Sequence, residues 1–147
     1  MSKNVDFTKE FVLDGSVTMV WGFADEDDTY ATAILERMPD LQAHVPNLWP
    51  LEVANALLVG ERRGRTTAAN AVRFLVILGS FPIAVDDETV ARAWAETMHL
   101  ARAHNLSAYD ASYLELAIRL GLPLACLDAK LKAAATAVGV PLYSVAS

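Results

Sequence analysis

The stretch that decides the fold runs from residue 47 to residue 59 and reads Asn-Leu-Trp-Pro-Leu-Glu-Val-Ala-Asn-Ala-Leu-Leu-Val. Asn47 is a favourable N-cap and Pro50 suits only a first turn, so the stretch predicts a helix that begins at Asn47. After the cap only Glu52 and Asn55 are polar, and a helix that is apolar all round is buried all round. Because a buried carboxylate is costly unless it is neutralised, meets a cation or opens onto a cleft, Glu52 is a candidate functional residue.

Length and composition predict one domain with some covered apolar surface. The chain has 147 residues, enough for a full core. Hydrophobic residues make up 54% of the chain, whereas their share in a typical soluble domain is about 45–50%. The mean hydropathy is +0.28. We therefore expect a partner protein or a second copy to cover part of the surface. The one cysteine, Cys126, excludes an intrachain disulfide and is typical of a reducing compartment.

Charge and targeting signals limit the possible functions. The net charge of −6 and the pI of about 4.9 argue against a typical basic nucleic-acid-binding protein, although local patches and metal ions act at short range. The N-terminus carries no export signal, and the longest nearly apolar stretch, residues 74–85, is too short to span a bilayer. These features predict a cytoplasmic protein with no membrane association.

Short apolar runs alternate with helical segments along the chain. This alternation predicts an α/β fold, a single three-layer domain with a mostly parallel central sheet flanked by helices. The predicted strands cover residues 10–14, 42–45, 81–85, 124–127 and 140–145. Ser16 is predicted to cap the first helix, and Asp86 to begin one long helix with Val90, Trp94, Thr97 and Ala101 facing inward. Residues 1–9 are expected to form a loose segment, and residues 10–147 the domain.

Two aspartates follow predicted strands directly and precede predicted helices. Asp14 comes after the first strand and Asp128 after the fourth. The carboxyl ends of parallel strands share one edge of a sheet, where ligands of open α/β sheets bind. If both strands run the same way, both aspartates lie at that edge. The simpler alternative is that each is a helix N-cap, a common use of Asp.

Asp110 completes a set of four acids from four segments. Ser107 and Asp110 resemble a capping box, while Asp110 also shares a helical face with the inward-looking Tyr113. Carboxylates that meet at one edge repel each other unless a cation neutralises them, and Mg²⁺ or Mn²⁺ with oxygen ligands suits that role. Ser16 and Asn55 are candidates for additional uncharged oxygens. Such a site suits phosphodiester hydrolysis, whereas no Cys/His spacing supports zinc.

The order of these motifs resembles that of the PIN domain, and within it the VapC-type toxins of bacterial and archaeal toxin–antitoxin pairs. The matching segments are Val12-Leu-Asp14-x-Ser16, Leu51-Glu52-Val-Ala-Asn55-Ala-Leu, Leu106-Ser-Ala-Tyr-Asp110-Ala and Leu124-Ala-Cys-Leu-Asp128. The resemblance covers about residues 10–145. Two positions depart from the usual pattern: Gly15 stands where Ala or Thr is more common, and Cys126 replaces a common threonine.

The resemblance implies a metal-dependent endoribonuclease, usually a homodimer, that a VapB-type antitoxin holds inactive. It also implies that the Mg²⁺ or Mn²⁺ site is formed by the acids at the matching positions, Asp14, Glu52, Asp110 and Asp128. Ser16 matches the small hydroxyl residue beside the first acid. The implied substrates are structured RNAs of translation, especially tRNA.

Two further hypotheses concern partners. Because an RNA backbone requires positive charge near an acidic site, Arg65 and Lys130 are candidate RNA contacts. Trp21, Phe23 and Tyr30 are candidates for a groove that binds an antitoxin helix, with ordinary core packing as the alternative.

Two other functional classes stay open at this stage. One is a catalytically silent PIN-like module that binds a protein or an RNA. The other is a structure-specific DNA nuclease, which the small size of the chain makes less attractive. Cleavage of RNA and not of DNA separates the leading hypothesis from both.

Overall fold

A four-stranded parallel sheet forms the centre of the computed structural model, which describes residues 8–145. Its strands, in the spatial order β3-β2-β1-β4, are β1 Glu10–Leu13, β2 Gln42–Val45, β3 Ile83–Val85 and β4 Leu124–Ala125. Phe11, Val12 and Leu13 are fully buried. A strand covered on both faces requires such a continuous apolar run, which is why β1 shows no alternation of polar and apolar residues.

Helices connect and flank these strands, and the predicted α/β fold is confirmed. The helices are α1 Gly15–Gly22, α2 Thr29–Arg37, α3 Trp49–Arg62, α4 Ala68–Gly79, α5 Thr89–Arg92, α6 Met98–His104, α7 Ala108–Leu120 and α8 Ala129–Ala137. A 3₁₀ turn, Met38–Asp40, precedes β2, and a π-helical turn, Ala93–Thr97, joins α5 to α6. Within residues 8–145, no helix is long and apolar enough to cross a membrane.

The ends of the chain differ from the prediction or lie outside the described residues. The fifth strand predicted at 140–145 is reduced to one parallel bridge between Leu124 and Leu142. Because β4 is only two residues long, the segment 140–145 has few residues with which to pair. The division into a loose segment 1–9 and a domain 10–147 stays a prediction, because residues 1–7 and 146–147 lie outside the described range.

Two predicted helix caps are wrong by one or two residues. The N-cap of α3 is Leu48, which makes no side-chain capping bond, while the backbone N–H of Asn47 donates to Thr89 Oγ1 at 3.1 Å. The N-cap of α1 is Asp14 and not Ser16, because the Asp14 carboxylate accepts the Ser16 backbone N–H. A carboxylate at the cap satisfies an N–H that the first helical turn leaves unpaired.

The burial of α3 is also narrower than predicted. Its buried residues are Trp49, Val53, Leu57 and Gly60. Leu51 is 76% exposed and Leu58 47% exposed, so one apolar side of the helix faces outward. An apolar sequence therefore does not bury this helix all round within the single chain. The excess of apolar residues in the composition is partly located here.

The predicted long helix after Asp86 is interrupted, and its inner face is not the predicted one. Thr97 is buried, but Val90 is 71% exposed and Trp94 91% exposed. A π-helical turn at Ala93–Thr97 also interrupts the helix, and it spreads a turn over more residues and shifts the residues on either side relative to one another. A regular period of 3.6 residues cannot anticipate that shift.

The sheet order places a crevice at the ends of β1 and β4. From β1 the chain continues to β2 on one side and returns later to β4 on the other. In open α/β sheets this point of reversal, at the carboxyl ends of the strands, is where ligands bind. Asp14 follows β1 there, and Asp128 lies just beyond β4.

Candidate active site

The structure brings together four carboxylates from four segments in one pocket. The pocket has a volume of about 330 Å³ and lies at the carboxyl ends of β1 and β4. It is lined by Asp14, Gly15, Ser16, Met19, Glu52, Val53, Ala56, Asp110 and Asp128. The convergence that the sequence suggested is therefore present in the fold.

Asp14 is the most deeply buried of these acids, with 5% of its surface exposed. Its Oδ2 accepts the backbone N–H of Ser16 at 3.3 Å and also the Ser16 hydroxyl. Burial raises the pKa of Asp14 to about 6, the Ser16 hydrogen bonds oppose the rise, and the charges of Asp110 and Glu52 add to it. A buried acid surrounded by like charges is well suited to bind a cation.

Ser16 joins the two turns that carry the aspartates. While its hydroxyl donates to Asp14, its Oγ accepts the backbone N–H of Leu127 at 3.0 Å. The next residue, Asp128, is exposed and caps α8, with Oδ2 accepting the Leu131 N–H at 2.8 Å. Ser16 thus fixes the position of the β4–α8 turn relative to Asp14. Asp14 and Asp128 each cap a helix and each line the pocket. The helix-cap role and the place in the pocket, which the sequence offered as alternatives, are therefore compatible.

Glu52 lies in the first turn of α3 and is partly buried. Its Oε1 accepts the hydroxyl of Tyr113, a residue of α7 with 1% exposure. Burial raises the pKa of Glu52, the Tyr113 hydrogen bond opposes the rise, and Asp110 adds to it. Burial, followed by the contact with Glu52, also holds the pKa of Tyr113 far above its usual value. The sequence placed Tyr113 on the inner face of its helix but gave it no role at the site.

Asp110 lies in the first turn of α7, where half of the predicted capping box is recorded, the cap by the Ser107 side chain. The Ser107 hydroxyl oxygen accepts the Asp110 backbone N–H at 3.0 Å. Burial and the charge of Asp128 raise the pKa of Asp110, while Ser107 and the charge of Lys130 oppose the rise. Lys130, an exposed residue of α8, is therefore a cation close to the acids.

The donor set fits a hard divalent cation in its chemistry. It consists of carboxylate oxygens, and the pKa values of Asp14, Glu52 and Asp110 are raised partly by each other or by Asp128. Within residues 8–145, however, no three His, Cys, Asp or Glu side chains are already grouped as metal ligands. Glu52 and Asp128 each use an oxygen in a hydrogen bond to the protein. Their roles as ligands therefore stay a prediction.

Two other candidate residues lie away from the pocket. Asn55 is exposed and does not line it, although it is three residues from Glu52. Arg65 donates to Asp25 at 2.9 and 3.0 Å and to Glu26 at 2.9 Å. It also stacks over the Phe23 ring, 4.1 Å from the centroid. This placement favours a clamp between two surface loops over an RNA contact, which leaves Lys130 as the better candidate.

The three aromatic residues proposed for an antitoxin groove are packed inside the domain. Phe23 is 5% exposed, the Trp21 indole N–H donates to the Ala31 carbonyl oxygen at 2.8 Å, and the Tyr30 hydroxyl donates to the Tyr143 carbonyl oxygen at 2.6 Å. Core packing, the alternative interpretation, therefore fits better. No sequence pattern indicated which apolar residues of α4 stay exposed, namely Val72, Leu75, Val76 and Ile77.

Comparison with known proteins gives consistent matches. A family model described as the PIN domain matches residues 11–137. Ribonuclease VapC3 of Pyrobaculum aerophilum is 30% identical over 122 residues, which cover 83% of this chain and 92% of that protein. The crystal structure of PAE2754 from the same organism has a TM-score of 0.63 and 27% identity, with 86% of each chain covered.

A second solved structure supports the fold alone. Mycobacterium tuberculosis VapC20, described as a sarcin-ricin loop cleaving toxin, has a TM-score of 0.58 at 19% identity. The match covers 84% of this chain and 94% of that one.

Proposed function

The chain belongs to the PIN domain family, and from that premise we propose that it is a metal-dependent endoribonuclease that hydrolyses RNA phosphodiester bonds as the toxin of a toxin–antitoxin pair. One observation carries the proposal: acids from β1, α3, α7 and the β4–α8 turn line a single pocket. The relative at 30% identity is by its name a ribonuclease, which supports RNA as the substrate class.

Asp14, Glu52, Asp110 and Asp128 are the residues that would hold Mg²⁺ or Mn²⁺. When bound, such an ion supplies the positive charge that activates a water molecule and stabilises the charge that develops on the phosphate. The buried Asp14 carboxylate is held in position by the hydrogen bonds from Ser16, so it would be the least mobile of the ligands. Lys130, whose charge acts on Asp110, would attract a backbone phosphate.

The proposed substrate is a tRNA or another RNA of translation, and the proposed location is the cytoplasm. The sarcin-ricin loop is the target that the description of the mycobacterial structure gives for that protein. At 19% identity that likeness extends to the fold, so the choice of RNA for this chain rests on experiment.

Two exposed apolar faces support the proposed protein partners. The first, on α4, contains Val72, Leu75 and Val76 and adjoins a pocket of about 250 Å³ between α3 and α4, which suits an apolar helix of a VapB-type antitoxin. The second contains Leu51, Val90 and Tyr109, which line one pocket and are all more than 60% exposed, and Trp94, 91% exposed, lies four residues after Val90. We assign the second face to a homodimer, since large exposed apolar patches mark interfaces.

Incubation of total RNA with the purified, antitoxin-free protein tests the proposal. Discrete fragments are expected with Mg²⁺ or Mn²⁺ and not with EDTA, and Asp14→Asn should abolish them. Asp27→Asn, which neutralises an exposed acid outside the pocket, is the matched control and should cleave like the wild type. Parallel single-stranded and duplex DNA substrates test the DNA nuclease alternative.

A catalytically silent PIN-like module is the second candidate function. The observation that favours it is that no three of the acids within the described range are already grouped as metal ligands. A folded wild-type protein that cleaves no RNA with either metal, yet binds RNA or an antitoxin, would establish this candidate instead.

A further inference from the structure

Tyr113 connects three of the segments that build the acid pocket. It belongs to α7, one turn after Asp110, and its hydroxyl donates to Glu52 Oε1 on α3. Gly15, directly after Asp14, lies beside this hydroxyl. A Cβ at Gly15 would lie 3.5 Å from the Tyr113 hydroxyl and 3.7 Å from Glu52 Oε1, which shows how closely the three residues meet.

The hydroxyl leaves Glu52 with one oxygen that no hydrogen bond of the described chain engages. The same pattern recurs in the neighbouring acids, since Asp14 Oδ2 accepts from Ser16 and Asp128 Oδ2 accepts from the Leu131 N–H. The donors to Asp14 and Asp128 include backbone N–H groups, which only a substitution by proline would remove. Tyr113 is a side-chain donor, and replacement by Phe removes it with almost no change in volume.

Burial makes Tyr113 a rigid donor and Glu52 the more adaptable acceptor. The Tyr113 side chain is 1% exposed within the core, and a tyrosine has only two side-chain torsions. Glu52 is partly exposed and has three torsions, so without the hydroxyl its carboxylate is free to turn and offer both oxygens to one ion.

We infer that Tyr113 is a positioning residue that limits Glu52 to one metal-binding oxygen and thereby favours Mg²⁺ over Ca²⁺ at this site. Mg²⁺ requires near-octahedral geometry and keeps several waters, so it is usually bound through few carboxylate oxygens. Ca²⁺ accepts six to eight ligands, including carboxylates that bind through both oxygens. The inference rests on the proposed function, because it presupposes that the four acids hold a cation.

Calorimetric titration of the metal-free protein with Mg²⁺ alone and with Ca²⁺ alone tests the inference. The measured quantity is the ratio of the Ca²⁺ Kd to the Mg²⁺ Kd. In Tyr113→Phe this ratio should fall by about fivefold or more, since one hydrogen bond to a charged group is removed. A general loss of rigidity would weaken the binding of both ions to the same extent and would not change the ratio.

Tyr30→Phe is the matched control variant. It also removes a tyrosine hydroxyl from inside the domain, one that donates to the Tyr143 carbonyl oxygen away from the acid pocket. Its ratio should equal that of the wild type. If Tyr113→Phe fails to fold, Glu52→Asp provides the same test from the other side, because the shorter side chain draws the carboxylate away from an intact Tyr113 and should also lower the ratio.

The outcomes separate this inference from the proposed function. A wild type that binds Mg²⁺, with an unchanged ratio in the folded Tyr113→Phe or in Glu52→Asp, would overturn the inference and leave the metal site standing. A wild type that binds neither cation would overturn both. A lowered ratio in Tyr113→Phe with no change in Tyr30→Phe would support both.

Discussion

Replacement of Asp14 by Asn should stabilise the metal-free protein at neutral pH, although it removes a residue proposed to be essential. Asp14 is 5% exposed, and burial raises its pKa from a usual 3.8 to about 6. A shift of roughly two units corresponds to ~3 kcal/mol of unfavourable free energy for the ionised form in the folded state. The folded state therefore binds the proton more tightly than the unfolded state does.

The sign and size of the effect follow from this difference. As the pH rises from about 4 to about 6, the wild type loses stability, and above that range the full cost is present. Asn is neutral, is as good an N-cap, and offers an oxygen to the Ser16 N–H and hydroxyl. The pKa of about 6 already includes the opposing Ser16 hydrogen bonds of the ionised carboxylate, so a gain of up to about 3 kcal/mol is expected near pH 7.

Urea unfolding in EDTA at about pH 7.5 and about pH 4.5 measures the effect. The gain from Asp14→Asn should be near its full size at the higher pH and fall to about 1 kcal/mol at the lower pH, which lies between the unfolded and folded pKa values of Asp14. Asp27→Asn, at an exposed acid, should change the free energy of unfolding by less than about 0.5 kcal/mol at either pH. A variant that is destabilised equally at both pH values would refute the reasoning, because it would mean that the ionised Asp14 is not under electrostatic strain.

Three further predictions concern stability and assembly. Arg119→Met should cost about 3–5 kcal/mol in urea unfolding, because it removes the cation from Asp86 and Glu115, whose side chains are 12% and 5% exposed; an unchanged midpoint would contradict this. Gly15→Ala should raise the free energy of unfolding by about 0.4–1 kcal/mol without loss of cleavage, since the new Cβ meets only ordinary contacts, and a destabilised variant would count against the described turn. Trp94→Ala should weaken the dimer in sedimentation experiments while leaving the stability of the isolated chain within about 0.5 kcal/mol, because Trp94 is 91% exposed; a wild type that is monomeric at high concentration would exclude the proposed interface.

The elements and the acids were predictable where local chemistry decides them. Asp14 and Asp128 each follow an apolar strand and begin a helix, and those two local facts are enough to place both at one edge of a parallel sheet. The capping of α7 by the Ser107 side chain is likewise local. The sheet edge and the two aspartates on it therefore follow from short stretches of sequence and from sheet topology, whereas the N-caps of α1 and α3 were predicted wrongly.

Features that depend on distant contacts could not be predicted in this way. Tyr113 and Glu52 are 61 residues apart, and only the packing of α7 beside α3 brings them together. The π-helical turn at Ala93–Thr97 and the exposure of Trp94 have no signal in the local sequence. Arg65 does not line the acid pocket, and its guanidinium is engaged by Asp25 and Glu26 of another loop.

The four carboxylates are proposed to form one metal centre that cleaves RNA. A crystal of the protein soaked in Mn²⁺, with anomalous data collected for manganese, shows whether they do. We predict an anomalous peak in the pocket within coordination distance of Asp14, Glu52 and Asp110, and no peak there in Asp14→Asn. A wild type that cleaves RNA while manganese binds elsewhere or nowhere would contradict the account.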